Sequence, residues 1–299
     1  MSTIAGQQVG FGLIYGFQPF AADRLLAEAR DAESLGFDLF CVADHLHGTH
    51  PTPEPWTALS WIAAVTERIA VMPDVLGLPY RAPAVTAKMA ETLDRLSGGR
   101  LVLGLGTGGY DGEFAAFGLA QRTPGQKVAA LGEAVQIIRG LWREPGFSFS
   151  GEHFRATGAR IEPRPAHPIP LWLGTYGPRA LAMTGALADG WVPSLGRLDL
   201  DQAAAMRAAV RASAEAAGRD PDQITCAANL IVAFTPDRTA ASRDGQLSGD
   251  GTAIAERLIG IGRAGFTFFN VALADADARR RFAAEVMPLV RAELARARP

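Results

Sequence analysis

The feature that most constrains the fold is a regular alternation of short apolar segments with amphipathic segments of helical period. We predict eight strand–helix units. The predicted strands cover residues 9–15, 38–42, 69–76, 100–105, 169–174, 190–193, 224–234 and 266–273, and the predicted helices cover 20–35, 56–67, 83–96, 124–142, 179–188, 200–217, 253–264 and 276–297. Strands that alternate with helices form parallel βαβ units, and eight such units close into a barrel.

The expected fold class is therefore α/β, as a (β/α)8 TIM barrel with insertion segments, in a single domain over residues 1–299. An open doubly wound sheet is the alternative, because periodicity alone does not fix closure. Residues 147–162 predict a hairpin or an excursion from the barrel, and the polar residues 235–250 predict a mobile surface loop. The glycine-containing segment 110–114 is a poor helix start.

Charge and composition restrict the class of partner. The chain has 29 Lys plus Arg and 31 Asp plus Glu, a formal net charge of -2, so no positive excess exists for nucleic acid. We find no secretory signal and no apolar run that could cross a membrane. The two cysteines, Cys41 and Cys226, are expected to be reduced, buried thiols. A cytoplasmic protein with a small-molecule substrate fits these features.

Asp44 and His45 follow the second predicted strand, at the barrel end where function is expected. A carboxylate beside an imidazole can bind a polar cofactor edge and move a proton. Alternatively, Asp44 caps a turn and His45 is a loop histidine. His45, His47 and His50 lack a cysteine or carboxylate cluster with metal-ligand spacing, so no metal is predicted.

Asp74 lies in an otherwise apolar run after the third strand. A buried carboxylate needs hydrogen bonds, so Asp74 either accepts from backbone amides or shapes a cofactor pocket. Gly104, Gly106 and Gly109 match a dinucleotide-binding pattern, but they follow the fourth strand and no ribose-binding acid occurs at the expected spacing. These glycines either allow close approach to a ligand or make a tight turn.

Residues 174–179 follow the fifth predicted strand and open a helix with Pro178 in its first turn. Backbone amides at a helix N-terminus bind phosphate well, although an ordinary capped turn would have the same sequence. Trp191 after the sixth strand either walls a pocket or belongs to the core.

Together these segments resemble the luciferase-like monooxygenase superfamily. The matching pieces, in family order, are residues 35–38 with 43–46, 75–83, 96–101 with 104–108, 112–114 with 117–118, and 170–174 with 188–191. The resemblance implies a luciferase-like TIM barrel that uses either the deazaflavin coenzyme F420 or FMN. Asp44-His45-Leu46 and the Gly106-Thr107-Gly108 segment are more similar to the F420-dependent branch.

The resemblance also implies roles for particular residues. Asp44 would hold the cofactor ring region and His45 would face the reacting centre. Asp74 and Val75 would form a non-prolyl cis peptide that supports the ring. The ring would lie beside Gly106, Thr107 and Gly108, and the phosphate would bind at Gly174, Thr175, Tyr176 and Gly177.

Two positions depart from the family pattern. Gly109 stands where many relatives have glutamate or tryptophan, so a general acid of some F420 enzymes is missing there. His47 stands where relatives often have tryptophan, and a second imidazole could transfer a proton, so His47 joins His45 and Asp44 as a candidate catalytic residue.

The resulting hypothesis is an F420-dependent oxidoreductase that transfers a hydride to or from a small organic substrate, as a homodimer. The alternatives are an FMN-dependent monooxygenase supplied by a flavin reductase, and a non-catalytic flavin-binding barrel.

Overall fold

The computed structural model describes residues 9–16, 20–46, 53–197, 199–236 and 246–296. Its strands in chain order are β1 (Gly10–Tyr15), β2 (Leu39–Val42), β3 (Ala70–Pro73), β4 (Leu76–Gly77), β5 (Leu103–Gly106), β6 (Phe147–Ser150), β7 (Arg155–Ala159), β8 (Leu171–Gly174), β9 (Gly190–Trp191), β10 (Thr225–Phe234), β11 (Gln246–Gly249) and β12 (Phe268–Ala272).

The helices are α1 (Ala22–Ser34), α2 (Pro55–Val65), α3 (Pro83–Ser97), α4 (Asp111–Ala116), α5 (Pro124–Arg143), α6 (Pro178–Leu187), α7 (Leu200–Ala216), α8 (Gly251–Arg263), α9 (Ala276–Arg281) and α10 (Met287–Arg296). Their ends follow local chemistry. Thr123 and Asp199 form capping boxes at the starts of α5 and α7, and Gly98 ends α3 in the left-handed conformation at φ 71°.

The strands form a parallel barrel, which confirms the predicted fold class. The strand order is β3-β2-β1-β12-β10-β9-β8-β5-β4. Because β3 and β4 are consecutive pieces of one chain segment, the two ends of this path meet. A parallel bridge between Val71 on β3 and Leu101, which shortly precedes β5, also closes the barrel here. The residues that follow the strands therefore gather at one end of the barrel.

Two apolar layers hold the barrel together. Alternate strand side chains pack outward under the helices, as Phe11, Leu13 and Phe40 do. The others fill the interior and are Leu39, Cys41, Ala70, Met72, Val102, Trp172, Val192, Ala227 and Phe268. Packing this dense on both faces fixes the register of each strand.

Three predicted elements need correction. The third strand is not continuous, because a cis peptide bond between Asp74 and Val75 separates β3 from β4. Residues 246–249, predicted as loop, form β11 and pair in parallel with β10, with Ile231 opposite Gln246. The segment judged a poor helix start forms α4, because burial of Phe114 offsets the glycine in its first turn.

Other predictions are confirmed or refined. Residues 147–159 form an antiparallel hairpin of β6 and β7 outside the barrel. The last predicted helix contains a π-helical turn at Phe282–Val286 between α9 and α10. Cys41 and Cys226 are free and buried. No helix in the described ranges is long and apolar enough to cross a membrane.

Candidate active site at the carboxyl ends of the strands

Asp44, which follows β2, is the most strongly held side chain of the site. One carboxylate oxygen accepts from the N–H of Gly77 at 2.9 Å and from Arg81 Nη1 at 2.7 Å, and the other accepts from Arg81 Nη2 at 3.1 Å. Arg81 also donates to Glu54 Oε1 at 2.6 Å. The Asp44 side chain is fully buried. Asp44 therefore fixes Arg81, and Arg81 in turn contacts Glu54 at the start of α2.

His45 is held by Glu113, a residue to which the sequence assigned no role. The ring Nδ1 lies 3.0 Å from Glu113 Oε1. The other oxygen of Glu113 accepts from the N–H of Leu46 at 3.2 Å and from the hydroxyl of Tyr80. Tyr110 packs edge-on to the imidazole with ring centroids 4.7 Å apart. The carboxylate orients the ring, and this arrangement is typical of an imidazole that transfers protons.

The exposure of the pair supports this interpretation. The His45 side chain is 38% exposed, whereas that of Glu113 is 7% exposed. Burial acts to raise the pKa of Glu113, but the hydrogen bonds from Tyr80, Leu46 and His45 outweigh it and hold the pKa of this carboxyl below its usual value. Glu113 is thus a fixed negative charge beneath a ring that solvent can reach.

Helix α4 brings Glu113 to His45. The helix turns Glu113 and Phe114 inward, and Phe114 packs edge-to-face on Tyr80 at 5.1 Å between ring centroids. Lys127 on α5 fastens the preceding loop by donating to the carbonyl of Gly108 at 3.0 Å. Glu113 lies in the sequence motif of residues 112–114. The position where an acid was expected is Gly109, four residues earlier, so the sequence did not point to Glu113.

The Asp74–Val75 peptide bond is cis, as the resemblance implied. The Val75 side chain packs against two strand glycines: a Cβ at Gly106 would lie 2.8 Å from Val75 Cγ2, and one at Gly174 would lie 3.0 Å from it. A Cβ at Gly104 would lie 2.2 Å from the carbonyl oxygen of Pro73. These glycines therefore make room for the turn, and this close packing accounts for Gly104 and Gly106 without a dinucleotide-binding role.

The segment after β8 contains both engaged and open groups. The Thr175 hydroxyl lies 2.7 Å from that of Thr184 and is buried. The Tyr176 hydroxyl accepts from the N–H of Ser194 at 2.7 Å. Gly177 begins α6 without a side-chain cap, and a Cβ there would meet nothing within 4 Å. The first turn of α6 is thus open to a ligand, whereas the Thr175 side chain is structural.

Trp191 belongs to the core. Its ring is fully buried, and its Nε1 donates to the carbonyl of Thr175 at 3.0 Å. Of the predicted site residues, those after β2, β3, β5 and β8 meet at one barrel end, while His47 lies outside the described residues. No group of three or more His, Cys, Asp or Glu that could hold a metal occurs in the described part of the chain.

Comparison with known proteins places this arrangement in context. A family model described as luciferase-like monooxygenase matches residues 5–246. An F420-dependent glucose-6-phosphate dehydrogenase of Nakamurella multipartita is 33% identical over 243 residues, which are 79% of this chain and 71% of that protein. An F420-dependent hydroxymycolic acid dehydrogenase of Mycobacterium tuberculosis is 33% identical over 78% of this chain and 65% of that protein.

A solved structure shares the fold at lower sequence identity. An F420-dependent secondary alcohol dehydrogenase in complex with an F420-acetone adduct superposes with a TM-score of 0.86 at 19% identity, covering 95% of this chain and 99% of that one. The superposition covers nearly all of both chains, so the two proteins share the whole barrel.

Proposed function

Because the chain belongs to the luciferase-like monooxygenase family, we propose that it is an oxidoreductase that binds coenzyme F420 at the carboxyl ends of its strands. Its substrate would be a small alcohol or the matching carbonyl compound. The observation that carries the proposal is the His45–Glu113 pair, with 3.0 Å between Nδ1 and Oε1, at the open end of the barrel. The three relatives described above all use F420 on hydroxyl-bearing or carbonyl compounds by name.

The residues at this end fit such a cofactor. The partly exposed Val75, which packs on Gly106 and Gly174, offers an uncharged surface on which a flat ring could rest. The uncapped first turn of α6 at Gly177 suits a phosphate, because its free amides and the helix dipole favour an anion. Space beside Gly109 is also open, since a Cβ there would meet nothing within 4 Å.

When bound, F420 would supply the hydride chemistry, and this chain would supply proton transfer and positioning. An alcohol that becomes a carbonyl compound loses a hydride from carbon and a proton from oxygen. His45 would take that proton, and Glu113 would stabilise the imidazolium that results. In the reverse direction His45 would return the proton to the oxygen. Arg81, held by Asp44 and Glu54, would line the same region with a guanidinium whose charge these two carboxylates balance.

His47, Thr107, Gly108 and Tyr176 remain proposed members of this site. Thr107 and Gly108 follow β5 beside Val75, and Gly108 has a positive φ of 84° with Phe114 and Pro79 close behind it. Tyr176 is 41% exposed beside the first turn of α6. The proximity of Thr107, Gly108 and Tyr176 to the cleft supports cofactor contact, whereas His47 lies outside the described residues and is proposed from the sequence alone.

We also propose a homodimer formed through α2 and α3. Trp61 on α2 is 51% exposed, and Val85 and Leu96 on α3 are 54% and 78% exposed. Large apolar side chains on adjacent helices are typical of an interface. A cytoplasmic location is proposed as well, supported by two buried cysteines that do not pair.

Turnover tests the proposed function. Anaerobic incubation with oxidised F420 and a panel of primary and secondary alcohols should bleach the cofactor with at least one alcohol, and His45→Gln should abolish the reaction. Oxygen consumption with reduced FMN, supplied by a flavin reductase, should stay at the background rate. Substantial oxygen uptake without F420 reduction would instead establish the FMN-dependent monooxygenase. Binding of F420 with no turnover of any compound would favour the non-catalytic barrel.

A further inference from the structure

A chain of polar side chains crosses the interior of the barrel beneath the cleft. Asp74 directly follows β3, and its N–H donates to the carbonyl of Val42 at 2.8 Å. Its carboxylate oxygen Oδ1 accepts from Asn229 Nδ2 on β10 at 3.0 Å. Strands β3 and β10 are not neighbours in the sheet. The hydrogen bond therefore joins two walls of the barrel across its interior.

The chain continues to a third strand. Asn229 Oδ1 accepts from Asn270 Nδ2 at 2.9 Å, and the two residues are paired in register on β10 and β12. Asn270 is fully buried. On the neighbouring β1, a Cβ at Gly12 would lie 2.2 Å from Asn270 Oδ1, so a larger residue there would have to displace the Asn270 side chain. We call these three residues, Asp74, Asn229 and Asn270, the interior polar chain.

The interior polar chain is directly linked to the floor of the cleft. The residue after Asp74 is Val75, whose methyl groups pack on Gly106 and Gly174. Val75 is partly exposed at this end of the barrel. Asp74 and Val75 are joined by one planar peptide unit, so the hydrogen bonds that hold Asp74 also restrict the backbone that carries Val75.

An ionised Asp74 carboxylate costs desolvation free energy at this position. Its second oxygen, Oδ2, is shielded from solvent and has no hydrogen-bond partner among the described residues. Burial raises the pKa of Asp74 to about 6, against the opposing effect of the Asn229 hydrogen bond. The titratable group that faces it is the Cys41 thiol on β2, and burial together with the nearby Asp74 raises the pKa of that thiol so that it stays neutral.

A neutral side chain would cost less desolvation free energy in this environment, so we expect the charge to have a function. A hydrogen bond to a charged acceptor is stronger than one to a neutral acceptor. The ionised carboxylate therefore holds the amide of Asn229 more firmly than a carboxylic acid or a carboxamide would. The hydrogen bond between Asp74 and Asn229 is therefore stronger when Asp74 is ionised than when it is protonated.

We infer that Asp74 is a positioning residue for the cofactor, whose carboxylate, held through Asn229 and Asn270 to the opposite wall of the barrel, fixes Val75 as the floor on which the ring rests. This inference rests on the proposed function, since it concerns the same cleft. It predicts that the affinity for F420 depends on the charge of a half-buried residue next to the floor, whose Oδ2 atom is shielded from solvent.

The test compares F420 affinity of the wild type and Asp74→Asn from about pH 5 to about pH 8 by fluorescence titration. The matched control is Asp94→Asn, which neutralises another buried aspartate, paired with His167 at 3.0 Å outside the cleft. Titration of the cofactor itself is common to all three proteins and cancels in the ratio of dissociation constants.

Asp74→Asn should weaken binding about 10-fold at pH ~7.5, the size expected for loss of a charge-assisted hydrogen bond. The ratio to wild type should fall towards one as the pH falls through about 6, because the wild type then loses the same charge. Asp94→Asn should show a ratio near one throughout. A ratio for Asp74→Asn that is one at pH ~7.5, or that does not change with pH, overturns the inference.

A second readout does not need the cofactor. In the free protein, the Val75 methyl resonances should shift with pH with a midpoint near 6, and this shift should be absent in Asp74→Asn and present in Asp94→Asn. If the wild type bound neither F420 nor FMN, the proposed function and the cofactor-positioning role would both fail, while this experiment would still decide whether the charge of Asp74 controls the position of Val75. Val75 methyl chemical shifts that change neither with pH nor with the Asp74→Asn substitution would contradict the inference.

Discussion

At the scale of single residues, the proposed chemistry depends on an imidazole that a buried carboxylate orients. Glu113 uses both oxygens, one on His45 and the other on Tyr80 and the N–H of Leu46. The pair resembles the base and its orienting acid in hydrolytic enzymes, where the acid fixes the tautomer of the ring. A proton acceptor so fixed is ready for substrate without reorganisation.

Glu113→Gln tests this pair. The amide keeps the shape but removes the charge that stabilises the imidazolium, so kcat should fall about 100-fold, within the range that general acid–base catalysis contributes. The dissociation constant for F420 should change little. Steady-state kinetics with the best alcohol measure both. Asp111→Asn, on the same helix but with a 54% exposed side chain, is the control and should keep kcat within a factor of about three. Equal losses in the two variants would contradict the role.

Asp74 makes a separate prediction about stability. Its pKa is raised from 3.8 to about 6 in the folded protein, so the folded state binds more protons than the unfolded state between these values. The free energy of unfolding should therefore decrease as the pH rises through this window, by at most about 3 kcal/mol. Asp74→Asn should remove this decrease. Urea unfolding at about pH 4 and about pH 7 measures it, and an unchanged pH dependence in the variant would be inconsistent with the raised pKa.

At the scale of elements, the turn between β3 and β4 determines the sequence of the strands beside it. Glycines at positions 104, 106 and 174 lie where a Cβ would contact the residues of this turn. The Gly104 and Gly106 pattern, which also matches a nucleotide-binding motif, is thus explained by close packing inside the barrel. Glycine is the residue that permits such an approach of backbone to backbone.

Gly104→Ala should destabilise the protein by about 2 kcal/mol, because the added Cβ would meet the Pro73 carbonyl at 2.2 Å and the backbone has to move. Gly260→Ala is the matched control: Gly260 lies within α8, where a Cβ would meet nothing within 4 Å, and alanine should stabilise by up to about 1 kcal/mol. Thermal unfolding of the two variants measures the difference. A Gly104→Ala variant as stable as the wild type would show that the turn is loosely packed.

Some strands and helices could be predicted from the sequence, and others could not. Hydrophobic period predicted every barrel strand and the helices between them, because burial on one side imposes it locally. The break at Asp74, the helix α4 and the strand β11 depend on contacts between distant segments. Likewise, Asp44 and His45 were identifiable from their place after β2, but their partners Arg81 and Glu113 lie 37 and 68 residues away. No local pattern could join them.

At the scale of the whole molecule, the barrel presents its cleft at one end and an apolar surface on its side. This side surface consists of Trp61, Val85 and Leu96 on α2 and α3. Helix α2 carries apolar residues on both its inner and outer faces, with the outer Trp61 left exposed. A helix that is apolar all round is usually covered.

Trp61→Glu should therefore convert a dimer into a monomer in light scattering after size-exclusion chromatography. A charge placed in the centre of an apolar interface costs enough to dissociate it. Leu289→Glu is the control, because Leu289 on α10 is a similar apolar side chain, 48% exposed, on another part of the surface. A wild-type monomer, or dissociation by both substitutions, would argue against the proposed interface.

A fluorescence titration of the purified protein with F420 and, separately, with FMN tests whether the cleft is built for F420. We expect saturable binding of F420 with a dissociation constant at least about 100-fold lower than that for FMN, a difference of about 2.7 kcal/mol. Tighter binding of FMN would contradict the account and identify a flavin enzyme.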